Sequence, residues 1–404
     1  MADYLVVNRF DDEFGEYHRF TEPGDRLAYL TTAGGLPVLD TASALDTVVV
    51  PDLSYATLAA ATARMIRRHG RFDAFIGMSE WDLMTVAHLS EEFGAGGWST
   101  ELVSRFRDKP LMKRLVAATG LPVPRYLALG ARPDAAAIAA ELGLPLVLKP
   151  RDGAASAGVT LATSVAGLAA ALAGTGDPAG FECEEFIDSD IFHVDGVRRD
   201  GAYHFVTASA YVGNCLEFAG GRPLGSVLLA PGTERDETIA FAAACLDALG
   251  LRDGAFHLEL FGGDGRERVF LEVALRPGGA EVPFLHRELF GVDLFGEAFR
   301  ATVGGPPHTP ASEFRASPGG GWGLAAEPRP LPSRLISRPS LLGSVPTLYA
   351  EVLPEPGEMF DGTGGYWHVG GRFRFAGQPA EVRRDVRAVL EGYRMTCEAA
   401  VPVR

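Results

Sequence analysis

Glu259 and Glu272 lie in the stretch GAFHLELFGGDGRERVFLEVALRPGG, where two apolar strands flank Gly262-Gly263-Asp264-Gly265, a strong hairpin signal. Side-chain alternation puts His257 and Glu259 on one face of the first strand. On the second strand Glu272, Ala274 and Arg276 share a face. A pairing centred between Gly265 and Arg266 sets Glu259 opposite Glu272. Like charges so placed are destabilising unless something between them offsets the repulsion. A hard divalent cation does that, and Mg²⁺ beside a nucleotide's phosphates is the usual case. Arg276, further along the same face, has the planar fork that holds a phosphate or a carboxylate. Another register with both acids solvated fits equally well, because register is seldom set by sequence alone.

Lys149 ends the apolar run PLVLKP and is followed by RDGAASAG. A loop of Gly, Ala and Ser lets backbone N–H groups approach an anion, and a lysine at its base adds a point charge. It is not a Walker A loop, since no Gly-Lys-Ser/Thr follows, and no GxGxxG occurs. A plain β-turn with an exposed lysine fits the same residues. Of the 37 Lys and Arg residues only Lys109, Lys113 and Lys149 are lysine, and Asn is confined to Asn8 and Asn214, as in GC-biased coding. Under that bias a lysine persists where arginine's broad fork cannot replace a compact ammonium, which marks these three positions. Glu182, Glu184 and Glu185 crowd FECEEFI, as a solvated edge or as acceptors for an adenine amino group.

The elements that must position these residues alternate. DYLVVN, DTVVVP and FDAFIGM read as strands, with TLAAATARMIRRHG and WDLMTVAHLSEEFG as helices between them, an α/β pattern. A helix is predicted from Lys109 to Thr119, and another over 134–142 with Asp134 as N-cap. PLVLKP and VTLAT read as strands and SVAGLAAALAG as a capped helix. FECEEFI opens a run of strands to Ala210, and DETIAFAAACLDALG is an amphipathic helix. After Gly304 the shift to Pro and Gly, through PPHTP and SPGGG, marks a linker or boundary. The tail carries strands LYAEVL, YWHVGG and RFRFAG and a last helix, EVRRDVRAVLEGYR.

At 404 residues, 47% apolar and 22% charged, the chain has room for two to four compact units and is neither disordered nor fibrous. A net charge of −15 argues against a nucleic-acid groove. No apolar run reaches the ~18 residues of a membrane helix, and MADYLVVNRF lacks the regions of a signal peptide. Cys183, Cys215, Cys245 and Cys397 are scattered and read as reduced thiols. The expectation is a cytoplasmic protein with no nucleic-acid or membrane partner.

Taken in order, these pieces resemble the ATP-grasp carboxylate–amine ligases over roughly residues 1–310. The matching stretches are FRDKPLMKRLVAATGLPVPRY, LPLVLKPRDGAASAGV, CEEFIDSDIFHVDGV, HLELF and FLEVALRPGG. Glu-x-Ala-x-Arg, from Glu272 to Arg276, is similar to the dipeptide-forming L-amino acid ligases. The resemblance implies an α/β ATP-grasp fold in four parts: a Rossmann-like domain (1–108), a small subdomain with the glycine-rich loop (109–185), a large subdomain with the metal hairpin (186–306) and a small C-terminal lobe (307–404). It implies that Lys109 and Lys149 contact ATP phosphates under residues 153–158, with Gly153, Ala154, Ser156 and Gly158 in the loop. Glu184 and the backbone from Glu185 to Ile187 would meet adenine. Glu259 and Glu272 would bind Mg²⁺, or Mn²⁺ in its place. Arg276 would hold the transferred phosphate or the substrate carboxylate. Lys113, one turn after Lys109, is a further site residue or a solvated helix lysine.

Two departures stand out. Many members have a ribose-binding acid where this chain has Ile191, so Asp190 substitutes or the contact is lost. Many also have Asn where this chain has Ala274, so one ion would have fewer protein ligands. The implied reaction is ATP-dependent ligation of an amino acid or similar small carboxylate to an amine or second amino acid through an acyl phosphate. ADP and phosphate leave, and peptide or natural-product biosynthesis is the setting it implies. His193, His257 and Glu80 are candidate bases, although a lone His or Glu at such places is more often structural. The partners are a small-molecule carboxylate and amine, and a homodimer. An ATP-grasp kinase, a non-catalytic nucleotide-binding module and ligation onto a peptide or polyamine stay open as alternatives. Substrate pockets are expected on the N-terminal domain and on the loop from about Val212 to Ala230.

Overall fold

The computed structural model describes residues 1–263, 265–328, 330–362 and 369–400. The chain opens with β1 (Asp3–Asn8), β2 (Arg26–Thr31), β3 (Asp46–Val49), α1 (Tyr55–His69), β4 (Ala74–Gly77), α2 (Leu83–Phe93) and α3 (Thr100–Arg105). The four strands form a parallel sheet in the order β3-β2-β1-β4. Both faces are covered, as parallel strands require. Leu5, Val7, Ala28, Leu30 and Phe75 pack with residues of α1 and α2, and Tyr4, Val6, Tyr29 and Ile76 face the other way.

Next come α4 (Lys109–Ala117), β5 (Tyr126–Ala128), α5 (Ala135–Leu142), β6 (Leu146–Pro150), β7 (Thr160–Ala162), α6 (Val165–Ala173) and β8 (Phe181–Glu185). Asp134 and Ser164 cap α5 and α6 through their side chains. The strands form an antiparallel sheet in the order β5-β8-β6-β7, with α5 and α6 against one face.

The third stretch holds β9 (Asp190–Arg199), β10 (Ala202–Val212), α7 (Cys215–Ala219), β11 (Leu224–Leu228), α8 (Thr233–Leu249), β12 (Gly254–Gly262), β13 (Val269–Ala274), α9 (Val282–Phe290) and α10 (Leu294–Thr302). The chain ends with β14 (Gly320–Ala325), β15 (Ser333–Ser337), β16 (Leu348–Val352), β17 (Met359–Phe360), β18 (Gly371–Ala376), α11 (Pro379–Gly392) and β19 (Thr396–Ala399). An eight-stranded sheet, β13-β12-β9-β10-β11-β14-β18-β16, runs through both stretches, and β17-β15-β19 form a small separate sheet. Phe256, Leu258 and Leu260 of β12, with Phe192 and Val194 of β9, pack with residues of α4 and α8 on one face. The opposite face is apolar at one end, where Val197, Phe205 and Ala255 pack with residues of α9 and α10. Further along the same strands it carries His193, Asp195, His257 and Glu259.

SPGGG, which reads as a boundary, instead runs into β14, every residue of which is buried. Its glycines bring α11 close to the sheet. A Cβ on Gly321 would lie 2.7 Å from the Ser226 carbonyl oxygen and 2.9 Å from Val382 Cγ1. Gly321→Val is therefore expected to cost about 1–3 kcal/mol, read as a lower Tm. YWH of the expected strand YWHVGG, and Asp264 of the hairpin turn, lie outside the described residues. No described helix is long and apolar enough to cross a membrane.

Candidate active site

Alternation sorts the small antiparallel sheet. Leu146, Leu148 and Cys183 enter its core, which turns Val147, Lys149, Glu182 and Glu184 to the other face. Lys113 reaches them from α4. It is fully buried, its Nζ against Glu182 Oε1 and 2.7 Å from Glu184 Oε2, and 5.3 Å from the centre of the Tyr126 ring. Lys149 Nζ lies 2.7 Å from Glu184 Oε1 and 3.8 Å from Glu182 Oε1. Two ammonium groups and two carboxylates thus close a buried box, and Lys113 is no solvated helix lysine. Burial pushes the Glu184 carboxyl up, but Lys149 and Lys113 prevail and hold it below its ordinary value. At Lys149 burial acts to remove the charge, and Glu184, Glu272 and Glu182 reverse it, so the ammonium is held above its usual range.

Lys109 is the first residue of α4, whose N-cap Asp108 accepts from the Leu111 N–H at 3.0 Å. Its Nζ donates to the Gly153 carbonyl at 2.7 Å and lies 3.4 Å from Glu272 Oε2. Its backbone N–H donates to the Arg151 carbonyl at 3.0 Å, and Arg107 donates to the Asp152 carbonyl. The start of α4 therefore anchors the base of the small-residue loop. Within that loop Ala155 and Ser156 sit in the left-handed region, at φ 54° and 57°, followed by Gly158 at 73°. Non-glycine residues held there carry strain of the kind found in ligand clamps.

The hairpin has the register that sets the acids face to face: Glu259 pairs with Glu272 and His257 with Ala274. A bulge follows, Leu260 pairing with Phe270, so Leu271 and Glu272 both line the cleft. The Glu272 side chain is 34% exposed. Burial raises its carboxyl, and Lys109 and Lys149 override that and bring it to about 2. Glu259 Oε1 accepts from the Tyr211 hydroxyl at 2.7 Å and lies 3.3 Å from His257 Nε2.

Arg276 donates from Nε to Glu80 Oε2 at 2.7 Å and from Nη1 to the Pro277 carbonyl at 2.7 Å. Glu80 also grips Arg107. Burial pushes Glu80 up, and Arg276 with Arg107 holds it below its ordinary value. Glu80 is thus a counter-ion joining the N-terminal sheet to the end of the hairpin. For a ligand, Arg276 offers the remaining N–H groups of its five-donor fork. His193 and His257 are both committed to Asp195, at 2.5 and 2.8 Å.

One cleft is lined by Lys109, Lys149, Gly153, Ala154, Ser156, Glu184, Glu185, Ile187, Glu259 and Glu272. Gly158, Asp190 and Arg276 are not among its lining residues. Asp190 is exposed and sits against Gly263, whereas its neighbour Ile191 lines the cleft, as strand alternation dictates. Asn214, Cys215 and Leu216, from the segment joining β10 to β11, line it as well. Facing carboxylate oxygens, with the nearest imidazole already committed, form a donor set for a hard cation such as Mg²⁺. Sequence reasoning missed Asp195, Tyr211 and Arg107. The signal for Asp195 was present: His193-x-Asp195 and His257-x-Glu259 are both period-two pairs on strands.

No protein-family model matches the chain. It is 24% identical over 279 residues to the L-arginine-specific L-amino acid ligase of Bacillus subtilis, spanning 67% of each protein. In structure it matches the L-amino acid ligase from Bacillus licheniformis at a TM-score of 0.74 and 17% identity, over 98% of both chains. It also matches the biotin carboxylase domain of the Hydrogenobacter thermophilus 2-oxoglutarate carboxylase, solved with MgADP, ADP and bicarbonate. That match has a TM-score of 0.66 at 15% identity, over 98% of this chain and 91% of the other.

Proposed function

We propose that this chain, a member of the ATP-grasp ligases, joins an amino acid or similar small carboxylate to an amine or second amino acid through an acyl phosphate. The observation that carries this reading is the facing pair Glu259 and Glu272, set on the cleft that Lys109 and Lys149 also line. Lys109, Lys149 and the N–H groups of residues 153–158 receive the ATP phosphates, and Glu184 with the backbone of 185–187 borders the adenine. Glu259 and Glu272 are the residues to hold Mg²⁺, or Mn²⁺ in its place, which supplies Lewis-acid neutralisation of phosphate charge when bound.

A substrate carboxylate oxygen attacks the γ-phosphorus, the bond to the β–γ bridging oxygen breaks, and ADP departs. Lys109 and Lys149 stabilise the charge that moves onto the leaving oxygen. The amine nitrogen then adds to the acyl carbon, phosphate leaves, and the amine's proton passes to solvent. Arg276 has N–H groups for the oxyanion of the tetrahedral intermediate. The anchored loop covers the phosphates and keeps water from the acyl phosphate.

The test supplies ATP, Mg²⁺ and a mixture of the standard L-amino acids, and reads ADP, phosphate and product mass. The expected product is a condensed amide formed one-to-one with ADP. A stable phosphorylated product would make the chain a kinase, and absence of nucleotide turnover would make it a binding module.

A further inference from the structure

Beneath the cleft, buried polar groups form an unbroken string across the sheet. Ser226 Oγ lies 2.6 Å from His193 Nε2, whose Nδ1 lies 2.5 Å from Asp195 Oδ2. The other oxygen, Asp195 Oδ1, lies 2.8 Å from His257 Nδ1, and His257 Nε2 lies 3.3 Å from Glu259 Oε1. The same Glu259 oxygen takes the Tyr211 hydroxyl at 2.7 Å. Ladder register builds the string, since β9 pairs Asp195 with His257 and His193 with Glu259. Asp195 is wholly buried.

His193, Asp195 and His257 are close enough to hold a metal ion themselves. The geometry opposes that. Their facing atoms are already at hydrogen-bond distance, and Gly278 closes over them. A Cβ built there would lie 2.5 Å from Asp195 Oδ1 and 3.0 Å from His257 Nδ1. A buried carboxylate holding an imidazole that touches another carboxylate is instead the arrangement that orients a metal ligand from behind.

Resting on the cation role of Glu259 given above, we propose that Asp195 is a positioning residue. Through His257, and together with Tyr211, it fixes Glu259 by Oε1 and presents Oε2 to the cation. Neither Asp195 nor His257 is among the cleft's lining residues, so both act through Glu259, which is.

The test is Mn²⁺ binding to the full-length protein in the presence of ADP, followed by electron paramagnetic resonance. Asp195→Asn is expected to weaken Mn²⁺ binding about 10–100-fold, and Tyr211→Phe about 10-fold, as loss of such outer partners does elsewhere. Metal-free ADP binding, measured by calorimetry, should stay within about 2-fold of wild type, which a general loss of packing would not allow. In a His257→Gln background, Asp195→Asn should add less than about 3-fold, because its effect passes through the imidazole. Wild-type Mn²⁺ affinity in Asp195→Asn would overturn the positioning role and leave the cation site standing. No Mn²⁺ binding by the wild type would overturn both. Should Asp195→Asn not fold, unchanged affinity in Tyr211→Phe overturns the proposal by itself.

Discussion

Glu272→Gln is expected to lower ADP release by at least about 100-fold while the fold persists, because the amide keeps the size of the side chain and removes its charge. Glu272 lies directly across the ladder from Glu259, on a cleft that Lys109 and Lys149 also line. With Lys109 3.4 Å away and its carboxyl held near 2, it stays ionised throughout the neutral range. A neutral amide offers a cation one dipolar oxygen in place of a charged pair, and Lys109 then faces no anion but the phosphates. Thermal stability should fall somewhat, since Lys109 and Lys149 hold the carboxyl below its ordinary value and its ionised form therefore favours the fold. ADP release at the wild-type rate, with an unchanged Tm, would remove Glu272 from the chemistry.

The second large effect concerns stability. Lys113→Met is expected to destabilise the protein by about 3–5 kcal/mol, because it strands two buried carboxylates with a single counter-ion. Glu182 and Glu184 are both buried and both bonded to Lys113, and Lys149 alone cannot neutralise the pair. The double variant Lys113→Met, Glu182→Gln removes one charge of each sign and should recover most of the loss. Denaturant titration of the three proteins checks this. A single variant within about 1 kcal/mol of wild type would mean that the carboxylates are not ionised together in the folded state.

Lys113 also shows where sequence reading stops. Its spacing from Lys109 places both on one turn-related stripe of α4, but a helix lysine reads as solvated unless partners are known. The partners lie on β8, 69 residues on, and only the packing of α4 against the small sheet reveals them. Scarcity of lysine was the better signal, since all three lysines of the chain converge on the cleft or on the box beside it. The hairpin was legible for a different reason. Its turn glycines and period-two acids are local, so they offered the 259–272 register beside one with both acids solvated, and the ladder of β12 with β13 decides between the two. Asp195 had only its period-two spacing from His193 as a local cue, and its meaning comes from β12 lying beside β9, which brings His257 to it from 62 residues away. The C-terminal strands illustrate the opposite failure. Glycines in SPGGG that signal a linker locally are kept because α11 must approach the sheet.

In the proposed acyl-phosphate route a carboxylate oxygen is phosphorylated before the amine displaces phosphate from the acyl carbon. The most direct measurement supplies ATP, Mg²⁺ and L-amino acids labelled with ¹⁸O in their carboxyl groups, and reads the released phosphate by ³¹P nuclear magnetic resonance. The expected result is phosphate shifted by one ¹⁸O, formed in step with ADP and amide. Unlabelled phosphate alongside amide, or release of AMP in place of ADP, would contradict the acyl-phosphate route.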